Sequence, residues 1–235
     1  MLILSLKNKL VLATALTLSL SACNDNDNPV AVTPAPAPLV QYSYSVTVTN
    51  LTYAQPLSPL AVILQGDDKL WMVGEDASVA LEKLAEGGDN GLFITNKIAS
   101  ASGDGVIFPG ASNTVEISTT DRNAIYFTAA TMLVNTNDAF SGLTGVDISN
   151  MAIDGTKSWN LNVYDAGTEL NTEANGTIPG PADGGVGYDP LRDDRNFVTF
   201  HSGVVSQDDG LSTSVLTQAH RFDNPAIKLT ITRTK

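Results

Sequence analysis

The sequence predicts an all-β fold, an antiparallel β-sandwich carrying one short helix. Three observations predict it. Short segments rich in β-branched and aromatic residues alternate apolar and polar side chains, the period of a half-buried strand. Clusters of Gly, Asn and Asp separate these segments, as turns require. One segment alone carries a well-formed helical apolar face. Many short strands with turn signals and a single helix fit a sandwich, and no internal repeat is visible.

The elements follow in order. Tyr42-Ser-Tyr-Ser-Val-Thr-Val-Thr-Asn50 alternates strictly and predicts the first strand. Pro56 and Pro59 interrupt, and Leu60-Ala-Val-Ile-Leu64 predicts a second. Asp76 to Glu86 predicts the helix, with Asp76 as its N-cap, an apolar face of Val79, Leu81, Leu84 and Ala85, and Gly87-Gly88 as its stop. Further strands are predicted at Val115–Ser118, Ala124–Val134, Ser158–Tyr164, Phe197–Phe200 and Ile227–Thr232. The last, within Ala-Ile-Lys-Leu-Thr-Ile-Thr, alternates cleanly and is expected to close the fold. Gly176 to Asp194 is long and irregular, with Asp183, Asp189, Asp193 and Asp194 as further oxygen donors or as a solvated acidic loop.

The N-terminus reads as a targeting segment. Lys7 and Lys9 precede an apolar run from Leu10 to Leu20, too short to span a bilayer as a permanent helix. Leu20-Ser-Ala-Cys23 then matches the bacterial lipobox, so residues 1–22 are expected to be a lipoprotein signal peptide and Cys23 the lipidated residue. Cys23 is the one cysteine, which excludes an intrachain disulfide and leaves no cysteine nucleophile in the domain. Asn24 follows it where an inner-membrane retention cue would place Asp, which favours the outer membrane. Residues 23–40, including Thr33-Pro-Ala-Pro-Ala-Pro38, form a Pro/Ala-rich tether that cannot build a core. The folded domain is expected over residues 41–235.

Removing Lys7 and Lys9 from the 13 basic residues and keeping all 25 acidic ones leaves a net charge of −14. Such acidity argues against nucleic acid and anionic membrane surfaces as partners. It is compatible with divalent cations, and equally with plain solubility.

Trp159-Asn-Leu-Asn-Val-Tyr-Asp165-Ala-Gly-Thr-Glu169 carries the candidate site. Trp159, Leu161 and Val163 alternate with polar residues, and Gly167 breaks the strand. Asp165 and Glu169 can then turn back toward one another. Two hard oxygen donors on a tight loop suit calcium better than zinc. The same residues also suit simple turn chemistry, in which Asp bonds its own backbone two residues on. A glycosidase would use two carboxylates too, but facing each other across a sugar, which one short loop does not provide. His201 and His220 have no recognisable catalytic partner and are expected to be structural. Trp71 and Trp159 are expected to anchor the core.

Several landmarks line up in order with those of one known family. Gly74-Glu-Asp-Ala-Ser78 with Leu84-Ala-Glu-Gly-Gly-Asp89 is similar to that family's helix. Ala130-Thr-Met-Leu-Val134 and Asn135-Thr-Asn-Asp138-Ala-Phe-Ser-Gly142 look like its strand and following loop. Tyr164-Asp-Ala-Gly-Thr-Glu169 resembles its Asp-Ala-Gly-Thr-Asp signature, and Asp223 to Arg233 its final strand. Together these landmarks resemble the spondin N-terminal domain family, and the resemblance spans nearly the whole predicted domain. It implies a β-sandwich of the C-two type, like membrane-targeting calcium-binding domains, found in animals in matrix and adhesion proteins. It also implies one calcium ion held by Asp138, Asp165 and Glu169. Glu169 stands where the family has Asp, one methylene longer, a change that calcium's flexible coordination tolerates. Ala139 and Phe140 stand where the family has Trp and an aromatic or apolar residue, which reshapes the loop around Asp138.

The sequence therefore predicts a lipid-anchored, monomeric, non-catalytic calcium-binding module of the bacterial envelope. Its membrane contact would be the lipid anchor, and its partner an unidentified protein or glycan in adhesion or ligand binding. An envelope polysaccharide hydrolase and a purely structural envelope lipoprotein are the alternatives.

Overall fold

The computed structural model describes residues 38–66 and 69–235. The expected signal peptide, Cys23 and nearly all of the expected tether lie outside the described residues. Residues 39–235 form one compact unit. Its elements in chain order are β1 (Tyr42–Asn50), β2 (Ala61–Gln65), α1 (Val79–Gly87), α2 (Gly91–Ile94), β3 (Ala99–Ser102), β4 (Ser112–Thr119), β5 (Tyr126–Met132), β6 (Ala139–Asp147), β7 (Thr156–Leu161), β8 (Val163–Asp165), β9 (Thr199–Phe200) and β10 (Ile227–Arg233).

The strands form two antiparallel sheets, so the all-β sandwich holds. One has the order β4-β1-β10-β7 and the other β3-β2-β5-β6-β8-β9. The strand at Tyr42–Asn50 forms where its alternation predicts, with Tyr44, Val46 and Val48 turned inward and Ser45, Thr47 and Thr49 outward. β10 pairs with β1 from Tyr44↔Arg233 to Asn50↔Ile227 and buries Ile227, Leu229 and Ile231 beside it. These side chains meet Val62, Leu64, Phe127 and Val163 from the other sheet in the main core.

The six-stranded sheet is covered on its outer face as well. There Leu81, Leu84 and Ala85 of α1 pack with Phe93 on Ile63, Ala130, Phe140 and Trp71. This second layer is why β2 is buried at every residue and reads as an unbroken apolar run. Trp71 meets Phe140 edge-on at 5.3 Å, the geometry its ring quadrupole favours.

The helix starts later than its sequence signal. Ser78, not Asp76, is the N-cap, and its hydroxyl accepts the Leu81 N–H at 3.2 Å. Asp76 instead bridges Phe197 in an isolated strand pairing. Val79 is 52% exposed, so the buried face is carried by Leu81, Leu84 and Ala85 without it. Gly88 closes the helix at φ 67°, donating to the Leu84 and Lys83 carbonyls. A Cβ there would sit 2.8 Å from Cβ of Ser58, so space and backbone conformation both favour glycine.

Three strand readings change in the structure. The predicted strand Ser158–Tyr164 is two strands, β7 in one sheet and β8 in the other, parted at Asn162. The Asn224 side chain takes the Val163 N–H at 2.8 Å, and Ser141 donates to the Asn162 carbonyl at 2.8 Å. Trp159 and Leu161 are accordingly half-buried, flanking the main core. Residues 139–142, predicted as loop, begin the buried strand β6. Gly142 is required there, since a Cβ would lie 2.2 Å from the Ala129 carbonyl oxygen. β3 carries no strong apolar alternation and was not anticipated.

Candidate metal centre

Strand pairing brings the first two predicted acids together. Asp138 precedes β6 and Asp165 ends β8, and the pairing Ala139↔Asp165 brings the two segments together, one register step apart, close enough for the Asp165 charge to act on Asp138. Ala166 donates its N–H to the Asp138 carbonyl at 3.2 Å, extending the pairing into the turn. The turn then reverses at Gly167, φ 71°. A Cβ on Gly167 would meet the Phe197 carbonyl oxygen at 2.3 Å, so no other residue fits.

Each carboxylate has a distinct environment. Asp165 is nearly buried; its Oδ1 accepts the Gly167 N–H at 2.8 Å and its Oδ2 the Asn171 amide at 2.6 Å. The first of these bonds is the Asx-type turn read from the sequence. Asp138 is wholly buried. Its Oδ2 accepts the N–H groups of Thr168 at 2.8 Å and Glu169 at 3.2 Å, whereas its Oδ1 has no partner. Glu169 turns its Oε1 to the Asn137 amide at 2.8 Å.

The electrostatics follow from this burial. Loss of solvent pushes the Asp138 carboxyl up to about 8, with the adjacent Asp165 charge adding and the two backbone N–H bonds opposing. Glu169 is raised to about 7, first by burial and then by Glu86, Asp193 and Asp189, against the Asn137 hydrogen bond. Holding Asp138 ionised therefore requires compensating positive charge.

A buried carboxylate oxygen that no donor reaches, next to a second carboxylate, is what a hard cation would use. Asp138 Oδ1 meets that requirement, whereas both Asp165 oxygens and the Glu169 Oε1 already accept hydrogen bonds that an ion would have to displace. Among the described residues, no group of three or more His, Cys, Asp or Glu side chains is arranged to hold an ion. The shell would need backbone carbonyls, amide oxygens and water beside the two aspartates.

The remaining sequence candidates are placed as follows. Asn137 joins the turn, accepting the Glu173 N–H at 3.3 Å through its Oδ1. Asn135 is structural, its amide group bonded to the Ala54 carbonyl and the Ala182 N–H. Asp183 caps its own loop through Asn175, Gly176 and Ile178. Asp189 accepts the Leu191 N–H, and Asp194 lies 3.9 Å from Arg195. Asp193 reaches the site's rim, accepting the Leu170 N–H at 2.8 Å. His220 caps a single 3-10 turn by accepting the Thr217 N–H. His201 is buried, accepts the Gly203 N–H through Nδ1 and leaves Nε2 without a partner. Burial lowers its pKa, with the Asp165 charge opposing.

Two residues were missed by the sequence reading. Glu82 and Glu86 lie one turn apart on α1, and both are buried. Glu82 pairs with Arg192 at 2.6 Å, and Glu86 accepts the Asp189 N–H at 3.0 Å. Their spacing of four beside the apolar face was the available signal. In comparison with known proteins, the chain matches no family model and no curated protein.

Proposed function

We propose that this chain is a lipid-anchored, extracytoplasmic and non-catalytic binding module of the spondin N-terminal type. One calcium ion would be held at Asp138 and Asp165, with Glu169 closing the turn. The observation that carries this reading is the buried, unpartnered Asp138 Oδ1, on a carboxyl that also feels the Asp165 charge. When bound, calcium supplies the positive charge that these two acids lack. Asp138 grips the turn through its other oxygen, and the turn presents its loops as one rigid surface for an envelope protein or glycan. The family assignment rests on the ordered landmarks along the sequence, and the anchor on Cys23 in its lipobox.

Hydrolysis fits this site less well. Asp138 is wholly buried and Asp165 nearly so, which leaves little of either carboxylate for a substrate to reach. Cavities of about 270 Å³ beside Tyr42 and Arg233 and about 310 Å³ beside Pro56 and Phe108 are lined by none of the three acids.

The test is calcium titration of the chain from Asn24 onward, by calorimetry and thermal melting. One ion per chain and a higher melting temperature are expected, both abolished by Asp165→Ala. No heat and no melting shift would refute the metal site.

A further inference from the structure

The chain has five arginines against 25 acidic residues, and three of the five are paired. Arg192 meets Glu82 at 2.6 Å, Arg221 meets Asp209 at 2.9 Å, and Arg195 lies 3.9 Å from Asp194. Arg122 and Arg233 form no ion pair among the described residues, and both line one cavity of about 270 Å³. The cavity sits where β1 begins and β10 ends, beside the β4–β5 turn, and Tyr42, Tyr44, Asp121 and Asn123 share its walls. It lies at the far end of β6 from Asp138, because Asp147, the last residue of β6, pairs with Tyr126 just past that turn. Arg233 is fixed in place. Its Nε donates to the Lys235 carbonyl at 2.9 Å and its Nη1 to the Met151 carbonyl at 2.8 Å, while the guanidinium lies 5.2 Å from the centre of the Tyr42 ring. No hydrogen bond among the described residues uses Nη2, which leaves its two N–H groups for a ligand. The Arg233 charge also reaches the Tyr44 hydroxyl: burial raises that group's pKa, and Arg233 opposes the rise.

We propose that this cavity binds a carboxylated sugar, whose acid group is taken by the guanidiniums of Arg122 and Arg233. A planar guanidinium without a carboxylate of its own matches a carboxylate, which it grips through two parallel N–H bonds. Charge alone does not select the ligand, because Asp121 lines the cavity too. Its Oδ1 accepts the Asn123 N–H at 2.8 Å, and its other oxygen is an acceptor for a ligand hydroxyl. A ligand must therefore bring hydroxyl donors beside its acid, which a sugar acid does and a bare anion does not. The Tyr42 and Tyr44 phenols and the Asn123 amide offer donors and acceptors to the same hydroxyls. The chain's net negative charge opposes anions at a distance, but salt screens that field beyond roughly 8–10 Å. Within the cavity the two guanidiniums decide. The proposal stands apart from the calcium reading and uses none of its residues.

The experiment is a ligand-observed NMR titration of D-glucuronate with the intact chain purified in detergent. Chelator is present throughout, so failure of the calcium reading leaves the result untouched. D-glucose and acetate are the control ligands, and Arg122→Ala and Arg233→Lys the variants. Saturable binding with a Kd on the order of 1 mM is expected for glucuronate, the scale of a ligand this small. Glucose lacks the acid and acetate lacks the hydroxyls, so each should bind at least about tenfold more weakly. Arg122 is exposed on the β4–β5 turn, so Arg122→Ala keeps the fold and should lose about tenfold in affinity. Arg233→Lys keeps the charge and loses the planar fork, and a similar loss is expected. Absence of saturable glucuronate binding overturns the proposal, as does wild-type affinity in either variant. Glucose binding as tightly as glucuronate would remove the acid from the recognition, and acetate doing so would remove the sugar; either result sinks it. If Arg233→Lys does not fold, Arg122→Ala decides alone.

Discussion

Asp138→Asn is expected to stabilise the metal-free domain at alkaline pH and to abolish its response to calcium. Burial pushes the folded-state carboxyl up to about 8 from an ordinary value of 3.8. A group raised in this way contributes most below pH 4, and that contribution is lost as pH climbs from 4 through 8. Ionising a carboxyl held so far above its ordinary range costs on the order of 5 kcal/mol, a large part of a domain's ordinary stability. Asparagine keeps an oxygen for the Thr168 and Glu169 N–H groups and removes the charge. Its amide NH2 then occupies the Oδ1 position without a partner, which costs about 1–3 kcal/mol. A net gain of roughly 2–4 kcal/mol remains, equivalent to about 5–10 °C in a domain of this size. The assay is thermal melting followed by circular dichroism at pH 5 and pH 8, with chelator and with excess calcium. In chelator the wild type should melt lower at pH 8 than at pH 5, and Asp138→Asn should narrow that gap. With calcium at 100 times its Kd, the wild type alone should gain about 2.7 kcal/mol. An Asp138→Asn protein that melts below the wild type in chelator at pH 8, or that still responds to calcium, refutes the reasoning.

Two other substitutions probe the scaffold of the site. Gly167→Ala forces a Cβ to within 2.3 Å of the Phe197 carbonyl at a positive φ, and should cost roughly 2–4 kcal/mol in a urea unfolding series. A loss under about 0.5 kcal/mol would show that the turn has a slack the structure does not contain. Arg192→Ala strips the buried Glu82 of its cation; because Arg192 is itself 22% exposed, about 1–3 kcal/mol is expected, less than for a fully buried pair. Pairing Arg192→Ala with Glu82→Gln should recover part of that loss, and additive losses in the double mutant would count against the pair.

The sandwich was legible where one face of a strand meets water and the other meets the core. β1 and β10 satisfy that condition, and their alternation marks them within a residue or two. β6 fails it twice, being buried on both faces and carrying Gly142 because the Ala129 backbone passes too close for any side chain. Phe-Ser-Gly-Leu-Thr-Gly therefore reads as loop. The break at Asn162 was hidden because the sequence keeps its period while the chain changes sheet. The rupture is made by Asn224, more than sixty residues away and reached only through folding. Of the candidate site, Asp165, Gly167 and Glu169 announce a turn by themselves. Asp138 came from the family resemblance, and its nearness to Asp165 depends on the β6–β8 pairing. Glu82 and Glu86 escaped notice because glutamate on a helix ordinarily faces water. Here the long loop after β8 covers them, Tyr188 lying over Lys83 at 4.6 Å and Arg192 closing on Glu82.

The way the chain enters the domain has a mechanical consequence. Residue 41 leads directly into β1, which is an interior strand: eight residues register with β4 on one side and seven with β10 on the other. A pull along that strand from its N-terminus must shear two ladders of hydrogen bonds together, and the load is spread over all of them at once. An edge strand pulled crosswise would instead yield one bond after another. A pull that enters at residue 41 along β1 therefore meets more resistance than the same pull on a hairpin at the rim.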